Sequence, residues 1–123
     1  MHKYTNLQIW QQAMELVEEI YKLTKTFPAD EKYGLISQMN RAAVSIPSNI
    51  AEGAGRCSKK DFSHFISISI GSMFELNTQL VLSERLGFID NTQCEKLQES
   101  LDNLQRMAVS FKNKLDSDSS VQQ

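Results

Sequence analysis

Residues 35–56, LISQMNRAAVSIPSNIAEGAGR, carry two helical stripes with a proline between them. Ile36, Met39, Ala43, Ile46 and Ile50 recur at steps of three and four, the spacing of one buried helix face. Arg41, Ser45, Asn49 and Glu52 recur at similar steps and form a second, polar stripe. Small Ala42, Ser45, Ser48 and Ala51 thin the surface between the two, so a neighbouring backbone can approach. A solvent-facing stripe would be rich in Lys and Glu, and this one is not. The segment therefore reads as a helix enclosed on most sides.

The flanking sequence repeats that logic. Periodicity predicts four helices, over about 7–27, 30–53, 59–86 and 92–115. The first opens after an Asn6 cap and holds two apolar stripes: Leu7, Trp10, Met14, Val17 and Tyr21, and beside it Ile9, Ala13, Leu16, Ile20, Leu23 and Phe27. A single seam uses one such stripe, so this helix should touch several neighbours. The second starts at Asp30, should kink at Pro47, and stops at Gly53. Ser45 and Ser48 stand where they could satisfy backbone groups loosened by the proline. In the third, Ser58 and Asp61 echo a capping box, and Phe62, Phe65, Ser69, Met73, Leu76, Leu80 and Ser83 hold the period. Gly71 and Ser72 lie mid-helix, where glycine costs ~1 kcal/mol against alanine, so close helix contact is expected there. The fourth carries Cys94, Leu97, Leu101, Leu104, Ala108, Phe111 and Leu115 behind a Thr92/Glu95 capping box. A polar tail, 116–123, is expected to fray. Short connections between long helices imply one all-α domain over 1–123, an antiparallel up-down-up-down four-helix bundle.

Charge narrows the function classes. Lys and Arg number 13 against 15 Asp and Glu, a formal net charge of −2 that disfavours a dedicated non-specific nucleic-acid binder. The balance is uneven: residues 1–60 carry +2 and residues 61–123 carry −4. Arg56, Lys59 and Lys60, joined by Arg41, form the basic end and the candidate nucleic-acid contact. Two cysteines, Cys57 and Cys94, have no metal-ligand spacing and read as reduced thiols. No apolar run approaches the ~20 residues of a membrane span, and the expected compartment is the cytoplasm.

Catalytic chemistry finds little purchase. Asp61 and His64 make one acid-x-x-His pair where a di-metal bundle needs two, and His2 stands apart in the N-terminal extension. No metal and no cofactor is expected. No serine sits in a nucleophile-elbow pattern. The glycines of EGAGR at 52–56 follow a helix, not a strand, and lack a lysine-serine ending, so they read as a helix stop and not a phosphate loop. That leaves the polar stripe. It is expected to form a buried or half-buried network in which Asn49 and Glu52 bond the backbone or Ser72 of the third helix, and Arg41 pairs with Glu75.

The motif SQMNRAAVSIPSNIAEGAGR at 37–56, the opening LQIWQQAMEL at 7–16 and GSMFEL at 71–76 resemble the bacterial four-helix-bundle family encoded within intervening sequences of 23S rRNA genes. The resemblance runs from Leu7 to Leu115. It implies a ring-like homo-oligomer, a pentamer in characterised relatives, and transfers no catalytic residue. Accessory proteins of diversity-generating retroelements, which partner a reverse transcriptase and nucleic acid, are similar in fold. The expected function is that of a non-enzymatic oligomeric bundle associated with RNA or a ribonucleoprotein. The alternative is a protein-interaction scaffold with no nucleic-acid role.

Overall fold

The computed structural model describes residues 3–121, so His2 and the last two residues of the tail, Gln122 and Gln123, lie outside the described region. Four α-helices account for most of it: α1 (Gln8–Thr24), α2 (Leu35–Ala54), α3 (Lys59–Arg85) and α4 (Asn91–Val121). Two short 3-10 turns, Tyr4–Asn6 and Ala29–Glu31, precede α1 and α2, and there is no strand among the described residues. The chain is an all-α four-helix bundle.

Several helix ends differ from the periodicity reading, each for a local reason. Asn6 closes the first 3-10 turn, and Leu7, in extended conformation, occupies the cap position of α1. The helix stops at Thr24, short of Phe27. Thr26 turns its hydroxyl onto the Leu23 carbonyl at 2.7 Å, and Pro28 disfavours helical backbone in the residue before it. Asp30 lies in the second 3-10 turn, and α2 starts five residues later behind Gly34. At α4 the cap is Asp90, which accepts from the Gln93 amide at 2.7 Å while Gln93 Oε1 accepts from the Asp90 amide at 3.0 Å. This reciprocal box displaces the expected Thr92/Glu95 pair. The Ser58 cap of α3 is formed, accepting from the Asp61 amide at 3.0 Å. Its other end closes with Gly87 at φ 79° and the Phe88 amide bonded back to the Ser83 carbonyl at 2.9 Å. Only glycine takes that backbone readily.

The polar tail begins inside a helix. Helix α4 runs on to Val121, tied by Lys112–Asp116 (2.8 Å), by the Ser63 hydroxyl donating to Asp116, and by Lys59–Asp118 (3.3 Å).

Cross-helix contacts set direction. Met39 meets Ser83, Ser45 meets Ser72, and Ile46 meets Ser69, so residue numbers climb α2 as they descend α3. Between α3 and α4, Asn77 pairs with Gln98 and Phe62 lies against Phe111, again in opposite order. The core takes the expected apolar stripes: Ile20, Met39, Ile46, Ile50, Ile66, Met73, Leu76 and Leu80 are fully buried, with Leu101 and Leu104 of α4 at 1% exposure. Pro47 is buried inside α2, which stays one helix through it.

Helix α2 ends at Ala54 with Gly55 as its cap, so EGAGR is the helix stop it was read as, but the close contact expected at Gly71 is found at Gly53. Gly53 lies in the last turn of α2 and is buried, where a Cβ would sit 2.7 Å from Phe65 Cβ and 2.9 Å from Phe62 Cδ1. Gly71, expected at a close contact, is exposed with nothing within 4 Å of a Cβ.

Candidate functional site

A polar contact joins α2 to α3 at Ser72 as expected, but through Ser45, while Asn49 turns back onto its own helix instead of reaching α3. Ser45 and Ser72 hydroxyls meet at 2.8 Å across α2 and α3, and Asn49 Nδ2 donates to both the Ser45 carbonyl (2.8 Å) and hydroxyl (2.9 Å). Ser45 thus spends its hydroxyl between helices instead of on backbone loosened by Pro47, and Ser48 is exposed. Glu52 leaves the network. Its side chain is 56% exposed and pairs at 3.1 Å with Arg56, four residues on, a nearer partner than anything on α3. Arg41 and Glu75 line one crevice with Gln38, Ala42 and Ser45, yet neither joins an ion pair among the described residues. Both are exposed enough to stay hydrated.

Deeper polar contacts in the same seam were not anticipated as bonds. The fully buried Ser69 hydroxyl donates to the Ile46 carbonyl at 2.9 Å. Ser83, also fully buried, donates to the Gln79 carbonyl at 2.7 Å and lies 3.4 Å from Met39 Sδ. Their place in the apolar period of α3 was the available signal. Gln79 is buried with its Oε1 unpartnered among the described residues, and nothing in the sequence pattern marked it.

The basic end is largely spoken for. Besides its pair with Glu52, Arg56 stacks its guanidinium 4.7 Å from the Phe65 ring centre, and Lys59 is held by Asp118. Lys60 is exposed. Of the four expected contact residues, Arg56, Lys59 and Lys60 cluster at the α2–α3 turn, while Arg41 lies further back on α2.

The remaining titratable groups are structural in setting. Lys112 and then Ser63, both bonded to Asp116, hold its carboxyl below the usual carboxylate range. Burial pushes the Cys94 thiol up to about 11, with Glu84 adding to the rise; Cys57 is exposed. Exposed His64 stands edge-on to Phe65, and no group of three or more potential metal ligands occurs among the described residues.

Two surface features complete the site. Between α1 and α2 runs an open groove of about 690 Å³ whose lining includes Tyr21, Lys32, Tyr33 and Arg41. The sequence reading placed Tyr21 in an apolar stripe and passed over Lys32 and Tyr33. On α3, Ile68, Phe74 and Leu82 are 40%, 60% and 44% exposed on the outer side, around open Gly71. An 18-residue window of α3 averages a mean hydropathy of 1.3 although only 39% of it is buried, so its apolar character extends to the outside. By contrast, α1 buries its Ile9-to-Phe27 stripe, half-buries Leu7, Trp10 and Val17 of the other, and exposes Met14 and Tyr21.

Comparison with known proteins bears on this arrangement. Among curated proteins none matches. A solved structure of a protein of unknown function from the S23 ribosomal protein family of Bacteroides thetaiotaomicron is similar, with a TM-score of 0.79 at 23% identity, covering 85% of this chain and 97% of that one. That likeness supports the fold. The family model described as 23S rRNA-intervening sequence protein matches residues 5–110, which takes in the α2 polar stripe, the basic turn and all of α3. The chain belongs to the 23S rRNA-intervening sequence protein family.

Proposed function

We propose that this protein is a non-enzymatic, ring-forming homo-oligomer that acts in the cytoplasm as an RNA- or ribonucleoprotein-associated accessory protein, with five copies the expected number. The observation that carries the assembly is the outer face of α3. Large apolar side chains grouped on one side of a helix are normally covered, yet Ile68, Phe74 and Leu82 face solvent in the single chain. A second copy seated there would cover them, and Gly71 between them would let its backbone approach closely. Met14 on α1 offers a smaller apolar contribution. The RNA part draws on the family's description and on the cations at the α2–α3 turn and in the α1–α2 groove. Repetition around a ring would let modest contacts add by avidity.

Light scattering at micromolar concentration tests the assembly. A multiple of the 14.0 kDa chain mass is expected, with dissociation in Phe74→Glu and Gly71→Trp, which leave the monomer core untouched. A 14.0 kDa wild-type particle overturns it. One observation favours the scaffold alternative: Glu52 and Asp118 already neutralise Arg56 and Lys59. RNA binding that falls as salt rises supports the RNA reading, since phosphate contacts release counterions. No binding at low salt leaves the scaffold.

A further inference from the structure

We infer that the groove between α1 and α2 is a single-stranded RNA site, with bases stacked on Tyr21 and Tyr33 and phosphates held by Lys32 and Arg41. The inference rests on the RNA reading above and gives it a location that the family match does not supply. At about 690 Å³ the groove falls in the size range of ligand sites. Lys32 and Arg41 line it and no Asp or Glu does; the carboxylate beside Arg41 is Glu75, in the adjoining crevice. Neither cation joins an ion pair among the described residues, in contrast to Arg56 and Lys59 at the α2–α3 turn. An anionic occupant is therefore the electrostatic complement of this groove, whereas the turn has largely supplied its own counter-charge.

The aromatic content narrows the anion to one that carries rings. Tyr33 is 88% exposed and Tyr21 43%, the former with Lys32 Nζ 5.4 Å from its ring centre. An exposed ring beside a cation is the recurrent platform for an unpaired base, because every base has a face to stack and a phosphate beside it. Asn40 adds a polar edge. Its side-chain amide lies 3.1 Å from the Thr24 hydroxyl and lines the groove. Stacking on a side chain needs bases that are not already stacked in a duplex, so the ligand is a single strand.

Fluorescence anisotropy with a labelled oligouridine of about ten nucleotides, against a duplex of equal length, tests the assignment. Tyr33→Ala should weaken single-strand binding by about five-fold or more, and Tyr33→Phe should restore it, since the ring does the stacking. The pair Lys32→Glu with Arg41→Glu should weaken binding and flatten its salt dependence, while Lys114→Glu on α4 changes little. These positions are exposed, so the variants keep the fold. Wild-type binding that none of the groove variants alters overturns the groove and leaves the RNA reading intact. No wild-type binding overturns both. A changed particle mass in Tyr33→Ala with unchanged RNA affinity gives the groove to a second copy of the chain, and also overturns the inference.

Discussion

The α2–α3 seam and the α1–α4 seam solve the same packing problem in opposite ways. Across α2–α3 the contact residues are small: Gly53 lies under Phe62 and Phe65, Ser45 reaches Ser72, and Ser69 bonds the Ile46 carbonyl itself. Short side chains let the backbones close in, and hydroxyls meet the polar atoms that close approach would otherwise bury unpaired. Along α1–α4 the facing residues are longer. Gln12, Glu15 and Glu19 face Ser100 and Asn103; Leu7 and Gln8 face Arg106 and Met107; Lys22 faces Gln93 and Lys96. Three crevices of about 190, 430 and 340 Å³ line that seam. A crevice of about 340 Å³ also opens between α2 and α3 where the long Arg41 and Glu75 flank it, so residue size decides where along a seam the helices close in.

The sharpest way to break this contrast is Gly53→Ala. The added methyl meets Phe65 Cβ at 2.7 Å and the Phe62 carbonyl at 3.3 Å, so helix and ring must shift, and a loss of about 1–3 kcal/mol is expected in denaturant melts. A gain in stability would mean that the seam has slack. Next comes Ser69→Ala, which removes the bond to the Ile46 carbonyl without adding bulk, expected to cost about 0.5–1.5 kcal/mol by the same measurement. An unchanged midpoint would show the hydroxyl to be dispensable. Smallest is Glu52→Ala. With Glu52 56% and Arg56 46% exposed, the pair is screened by solvent, and a change within about 1 kcal/mol is expected. A larger loss would return Glu52 to the buried network first expected of it.

What the sequence revealed and what it hid divide along the same line. Apolar periodicity located all four helices and nearly all of their buried faces, because burial selects side chains one residue at a time. That Ser72 takes a polar partner from α2 was legible for the same reason, but the partner is Ser45 and not Asn49 or Glu52, because the longer Asn49 amide folds back onto its own helix. The close approach was assigned to Gly71 and occurs at Gly53, since glycine says only that a side chain is missing and not what stands opposite. Asp90 was missed as the α4 cap because Thr92 and Glu95 fit the same pattern two residues later. Glu52 was misassigned by overlooking Arg56 one turn away. The α1–α2 groove was hidden because Tyr21 and Tyr33 belong to different elements, and only the folded chain puts them on one surface.

The close seam has a consequence for chain entropy. Its two helices are joined by residues 55–58 alone, so bringing Gly53 to Phe62 closes a very short loop. The α1–α4 seam joins Leu7 to Met107, nearly the two ends of the chain. Loop-closure entropy grows with the logarithm of the span, so the fissured seam carries the larger ordering penalty. The close approach at Gly53 is thus reached where the chain gives up little freedom to achieve it.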